Sequence, residues 1–206
     1  MQCDLKLQGG QVLDGTGSVA IAADVAVRNG RIEAIGALAD VEAGRTIDCR
    51  GRIVTPGFID IHSHSDWLVP GQDAGALVEP FLRQGITTIV GGNCGFSPAP
   101  ITAHNHDAAQ TASKLIIDGE IDLRWETMAE FLSALEQTPL ALNVAELAGH
   151  GSIRAAVTGP LTQAAPAPDE LRQMEQLTRA ALDAGCVGVS TGLGYPPGIF
   201  AGQEEL

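Results

Sequence analysis

From residue 56 onward the chain alternates short apolar runs with helix-patterned stretches, and that alternation constrains the fold more than any other feature. The run Ile53-Val54-Thr55-Pro56-Gly57-Phe58-Ile59-Asp60-Ile61 reads as a buried strand whose start is set by Pro56-Gly57. Ile86 to Gly91 reads as a second strand, Leu140 to Leu147 as a third and Val187 to Gly192 as a fourth. Trp125 to Gln137 and Pro168 to Gly185 carry helical spacing. The latter is the better marked, because Pro168-Asp169-Glu170 opens it, Leu171, Met174, Leu177, Ala181 and Leu182 recur at helical intervals, and Gly185 stops it. Strands that alternate with helices build βαβ units and a parallel sheet.

Residues 1–55 follow a different rule. Leu5, Leu7, Val12, Val25, Val27, Ile32, Ile35 and Ile47 lie in short stretches punctuated by Gly9-Gly10, Asp14-Gly15, Asn29-Gly30 and Arg50-Gly51. Asn-Gly and Asp-Gly between apolar strands signal tight hairpins, whose turns need positive φ. The expectation is a small, mostly antiparallel β domain over 1–55, followed by an α/β domain over 56–206.

Composition narrows the partners. The chain has 206 residues, 45% hydrophobic and 18% charged, as in an ordinary globular protein able to bury a core. Asp+Glu 25 against Lys+Arg 12 gives a formal charge of -13, a field that repels phosphate backbones and anionic lipid. Neither nucleic acid nor a membrane is an expected partner. No apolar stretch approaches the roughly 18 to 20 residues of a membrane span, and Met1 to Lys6 lacks the pattern of a secretory leader. A cytoplasmic address is the expectation. Cys3, Cys49, Cys94 and Cys186 form no Cys-x-x-Cys unit, so neither a zinc ribbon nor a disulfide framework is suggested.

The chemically interesting residues all fall just after the strands: His62 and His64, then Asn93-Cys94-Gly95, then His150, then Ser190 to Gly198. In parallel α/β folds the ligand site lies at the carboxyl ends of the strands, and in (β/α)8 barrels it is built from the loops there. A barrel takes about 250 residues for eight units. This chain reaches its fourth strand by Gly192 and finishes at Glu204-Glu205-Leu206, which resembles the first turn of a further helix. Residues 56–206 are therefore expected to be the first four βα units of an incomplete barrel, the front half of a larger protein.

His62-Ser63-His64 is half of a candidate metal site. Side chains at i and i+2 of a strand share a face roughly 6.5 to 7 Å apart, so both imidazoles can converge on one ion. Neutral imidazole suits zinc, although a lone His-x-His also marks many strand ends with no ligand at all. An isolated cysteine is commonly an inert small hydrophobe; Cys94, in a loop of Gly91-Gly92-Asn93-Cys94-Gly95, comes within reach of the histidines if the first two strands are neighbours. His150, flanked by glycines on a strand-end loop, reads either as a hydrogen-bonding buttress or as a substrate contact. Tyr195, before Pro196-Pro197, either binds a substrate carbonyl or carboxylate or packs its loop. Ser190-Thr191 lacks the Gly-x-Ser-x-Gly elbow of serine hydrolases.

Four segments carry a family likeness. Thr55-Pro56-Gly57-Phe58-Ile59-Asp60-Ile61-His62-Ser63-His64-Ser65-Asp66, Gly92-Asn93-Cys94-Gly95-Phe96-Ser97, Gly149-His150-Gly151-Ser152-Ile153-Arg154 and Ser190-Thr191-Gly192-Leu193-Gly194-Tyr195-Pro196-Pro197-Gly198 resemble the amidohydrolase superfamily, and more narrowly the N-acyl-D-amino-acid deacylases, or D-aminoacylases. The Asn-Cys-Gly-Phe-Ser and Ser-Thr-Gly-Leu-x-Tyr-Pro-Pro-Gly loops are the specific elements. The resemblance implies a zinc-dependent hydrolase that splits N-acyl-D-amino acids into a carboxylate and a free D-amino acid. It makes Cys94 a zinc ligand, and His62 and His64 ligands of a nearby, weaker metal position; His150 and Tyr195 stay candidate substrate contacts on the local reading above. It places the further histidine ligands and the catalytic aspartate beyond Leu206, so no catalytic acid or base, Asp66 included, is assigned here.

Two rival readings stay open. A cyclic-amide hydrolase of the dihydroorotase or hydantoinase kind needs a carboxylated lysine after a barrel strand, and the only lysines are Lys6 and Lys114. A non-catalytic half-barrel that keeps some metal ligands is the other. An open half of a parallel barrel exposes strand edges, so self-association through them, and inactivity of these residues alone, are expected.

Overall fold

In the computed structural model, residues 2–71, 74–113, 121 and 123–206 are described. The chain divides into two compact units, Met1–Gly57 and Phe58–Leu206.

The first unit is a five-stranded sheet of β1 (Gln2–Val12), β2 (Ile21–Arg28), β3 (Arg31–Gly36), β4 (Glu42–Asp48) and β5 (Ile53–Val54). Its order is β3-β2-β1-β4, with β5 also pairing β1. Asn29 and Gly30, with φ of 51° and 71°, form the tight turn between β2 and β3 that their sequence predicts. β1–β2 and β2–β3 are antiparallel, whereas β4 and β5 both run parallel to β1. The sheet is thus mixed rather than mostly antiparallel. Turn residues state where the chain reverses, but not which strand the next segment will join. Val12, Ala23 and Val25 form the small core with Leu7, Val27 and Val54. Lys6 of β1 is also buried, and its ammonium donates to Val41 O at 3.0 Å and Leu38 O at 3.4 Å, which satisfies a charge that would otherwise be costly there.

The apolar run from Ile53 to Ile61 is not one strand. It is broken at Thr55-Pro56-Gly57, so Ile53–Val54 is β5 of the first unit and Phe58–Asp60 is β6 of the second. Pro56 has no N–H to give to a sheet ladder, which accounts for the break.

The second unit holds β6 (Phe58–Asp60), β7 (Ile86–Gly91), β8 (Asn143–Gly149) and β9 (Gly188–Ser190), side by side in chain order and all parallel. β7 keeps the predicted limits. β8 lies further along than Leu140 to Leu147, and β9 is shorter than Val187 to Gly192. The helices are α1 (Ala74–Arg83), α2 (His106–Ser113), α3 (Met128–Gln137), α4 (His150–Thr158) and α5 (Pro168–Ala184).

Two helix starts show their local cause. Thr127 accepts from Glu130 N at 3.2 Å while the Glu130 carboxylate accepts from Thr127 N at 3.3 Å, so α3 begins at Met128 rather than at Trp125. In α5, Glu170 accepts from Ala167 N at 2.7 Å and Pro168 takes the first position, where its missing N–H costs nothing. The core is built from Val78 of α1, Ile89 of β7, Phe131 of α3, Ala148 of β8, Ile153 of α4, and Met174 and Ala181 of α5. β6 and β9 are the sheet's edges, and Phe58, Ile59, Val187 and Val189 there are exposed. Among the described residues no helix is long and apolar enough to cross a membrane.

Candidate metal centre

β6 and β7 are hydrogen-bonded neighbours, and the loops that leave them bring three donor side chains together. His62, His64 and Cys94 each place a ligand atom within 4.8 Å of the others. His62 Nε2 lies 3.1 Å from Cys94 Sγ, and the two imidazoles meet edge-on with centroids 5.6 Å apart. The backbone sets this arrangement. Asp60 accepts from His62 N at 3.1 Å, Ser63 N donates to Val90 O at 3.0 Å, and Asn93 Nδ2 donates to Val90 O at 2.7 Å and to Ser63 O at 3.3 Å. Asn93 therefore ties the cysteine loop to the histidine loop.

The residues fit a borderline-soft cation such as zinc. Two imidazoles and a thiol form a donor set of the right kind, and His64 Nδ1 is buried with no hydrogen-bond partner. Burial, aided by the charge of His62, pushes the His64 imidazole below its ordinary value and keeps it in the neutral form that can ligate. Cys94 is part-exposed, unlike the buried Cys3, Cys49 and Cys186. Cys186 is pushed up to about 12 by burial and by Glu146, and stays a protonated, inert thiol.

Beneath the cluster lies a pair of carboxyls. Asp66 and Glu146 are both almost fully buried. A Cβ placed on Gly91 would come within 2.5 Å of Asp66 Cβ and of Glu146 Oε2, so only glycine lets β7 pass over them. Asp66 Oδ2 accepts from Gly92 N at 3.0 Å. Burial pushes Asp66 up to about 6 against that hydrogen bond, and burial together with the Asp66 charge pushes Glu146 well above its ordinary value. Two carboxyls buried side by side favour the state in which one of them keeps a proton. Glu146 did not emerge from the sequence, although a glutamate inside the apolar run Leu140 to Leu147 was a legible signal.

A second strand-end cluster surrounds His150. This residue is the first of α4 and buried, rather than on a loop; the flanking glycines that suggested a loop are the N-cap Gly149 and a helical Gly151. His150 Nε2 lies 2.8 Å from Glu205 Oε1, and Arg154 Nη1 donates to Glu205 Oε2 at 2.5 Å. Arg154 Nη2 also donates to Thr162 O and Ala164 O, at 3.1 and 3.0 Å. Nothing in the sequence pairs Glu205 with residues some fifty positions earlier.

Tyr195 lies beside the first cluster. Its hydroxyl donates to Cys94 O at 2.7 Å and its ring stacks on Phe96 with centroids 5.4 Å apart. Burial and the neighbouring Cys94 push its phenol up to about 12, so it is a protonated donor. Of the two lysines, Lys6 belongs to the first unit and Lys114 lies outside the described residues.

Known proteins resemble the chain along its whole length. D-aminoacylase of Alcaligenes xylosoxydans xylosoxydans is 41% identical over 98% of this chain, and N-acyl-D-glutamate deacylase of the same organism is 44% identical over the same share. Each match takes in 40% of the relative, so the chain spans about two-fifths of the length of these curated proteins. The crystal structure of N-acyl-D-glutamate deacylase from Bordetella bronchiseptica, complexed with zinc and a phosphonate inhibitor that mimics the tetrahedral intermediate, is 38% identical. It superposes with a TM-score of 0.85 over 100% of this chain and 41% of that one. The four-stranded parallel sheet is accordingly the front half of a (β/α)8 metal-dependent hydrolase barrel, with a small β domain before it. The amidohydrolase family profile matches residues 45–205, and with relatives above 40% identity over nearly every residue, this chain belongs to the amidohydrolase family.

Proposed function

We propose that the protein carrying these residues is a zinc-dependent hydrolase of N-acyl-D-amino acids, releasing a carboxylate and a free D-amino acid. The observation that carries the proposal is the convergence of His62, His64 and Cys94 at the ends of β6 and β7. The relatives' activities, as D-aminoacylase and N-acyl-D-glutamate deacylase, supply the substrate class. Bound by these residues, zinc would polarise the amide carbonyl and lower the pKa of water beside it.

The chain's own residues divide the remaining work. His64 is held neutral and Cys94 is held in place by its loop. Tyr195 spends its proton on Cys94 O, so toward a substrate it offers lone pairs and accepts, which suits an amide N–H. His150 offers its free Nδ1 from the end of the neighbouring strand. Residues 56–206 act as the first four βα units of the barrel, and the general acid and base and the remaining metal ligands come from beyond Leu206. Within these 206 residues alone the exposed edges of β6 and β9 favour self-association, and the expected address is the cytoplasm.

Elemental analysis of the purified chain beside Cys94→Ala, with an assay for D-amino acid released from N-acetyl-D-methionine, tests this. Substoichiometric zinc that vanishes in Cys94→Ala, with no turnover, is the expected result. Zinc retained in Cys94→Ala would refute the ligand assignment, and turnover by the 206 residues alone would refute the division of labour.

A further inference from the structure

Cys94 has φ of 58°, a left-handed conformation that a residue with a side chain holds only when its surroundings enforce it. The enforcement comes from β9 and the loop after it. Ser190, the last residue of β9, donates its hydroxyl to Gly92 O and accepts from Gly95 N at 2.9 Å, spanning the turn that carries Cys94. Tyr195 supplies a third anchor on Cys94 O. Gly192 completes the fit, since a Cβ there would lie 2.1 Å from Cys94 O. Both functions of the Ser190 hydroxyl are thus spent on the backbone, which leaves it no part as a nucleophile. A cysteine thiol hangs on a single side-chain torsion, so the direction of Sγ follows the backbone on either side of it.

We infer that Ser190 is a positioning residue that aims the Cys94 thiol at His62 and His64 by stapling Gly92 to Gly95. The inference rests on the metal reading of those three residues. It separates a side chain that looks like a reactive group from the work it does: the hydroxyl fixes a ligand two strands away and never meets substrate.

Ser190→Thr and Ser190→Val make the test, because they share a shape and differ in the hydroxyl. Two quantities are read on the full chain. One is the zinc dissociation constant, by competition with a chromophoric chelator. The other is the rate at which iodoacetamide alkylates Cys94 in metal-free protein, followed by peptide mass spectrometry. Ser190→Val is expected to bind zinc about 10- to 100-fold more weakly than Ser190→Thr, as loss of a group orienting a ligand does, and to alkylate at a clearly different rate. Tyr195→Phe, which removes one anchor and keeps the ring, is expected to shift both readings the same way by less, and it serves if Ser190→Val fails to fold. Equal values for the valine and threonine variants in both readings would overturn the inference. If wild type takes up no zinc at all, the metal reading fails by itself, and the alkylation rates still decide the staple: unchanged rates would sink it.

Discussion

Two clusters sit at neighbouring strand ends, and both contain histidine, yet they are opposite in kind. At His62, His64 and Cys94 the donors face one another, part-exposed, with no carboxylate among them. At His150 and Arg154 the buried Glu205 lies between the two, and Arg154 spends its other donors on Thr162 O and Ala164 O. Residue type separates these clusters poorly; the presence of a carboxylate separates them well. A histidine whose Nε2 is already taken by a buried carboxylate braces the fold, while one whose Nε2 faces a thiol can hold an ion.

The sharpest way to break this contrast is to remove one member of each. Arg154→Ala should leave Glu205 buried beside only His150 and strip two carbonyls of their donor, at a cost of about 3–5 kcal/mol in denaturant unfolding, while a sample kept folded retains zinc. His62→Ala should do the reverse, losing zinc by elemental analysis with little change in the unfolding midpoint, since its side chain is exposed. If Arg154→Ala lost zinc without losing stability, the assignment of brace and ligand site would be exchanged.

A smaller effect concerns the carboxyls near the cluster of His62, His64 and Cys94. Glu146 is held protonated in the fold because burial and Asp66 raise it well above 4.5. A group raised in this way binds more protons folded than unfolded, so its contribution is complete below about pH 4.5 and declines as the pH rises toward the folded value. The slope is at most about 1.4 kcal/mol per pH unit. Glu146→Gln removes this group's titration, so its thermal midpoint should gain on wild type as the pH is raised above about 4.5. A gap between the two that is constant with pH would mean that Glu146 is ionised in the fold. The smallest effect belongs to a residue that is a member of neither cluster: Thr127→Ala should cost about 1 kcal/mol through the lost cap of α3, with zinc uptake unchanged.

What could be read beforehand follows the same division between local and distant causes. β7, the helix opened by Pro168 and the Asn29-Gly30 turn are written in neighbouring residues, and the structure places them where those residues predict. His62 and His64 lie past Asp60, the last residue of β6, so their place after a strand rather than a strand's period marked them, and Cys94 needed only the rule that consecutive parallel strands lie side by side. α4 was hidden because Gly149 and Gly151 resemble a loop around His150, and α1 because it contains Gly75 and Pro80. The parallel placement of β4, the burial of Asp66 on Glu146 and the reach of Glu205 to Arg154 each join residues far apart in the chain, and no local pattern records them.

The strand order of the second unit has a consequence for synthesis on the ribosome. Each strand pairs with the one made just before it, and His62 and Cys94 are separated by only 32 positions. Closing so short a loop is entropically mild. The three donors can therefore meet once the first two strands have emerged, and each later strand is laid onto an edge that already carries them, with the serine that fixes the cysteine arriving last.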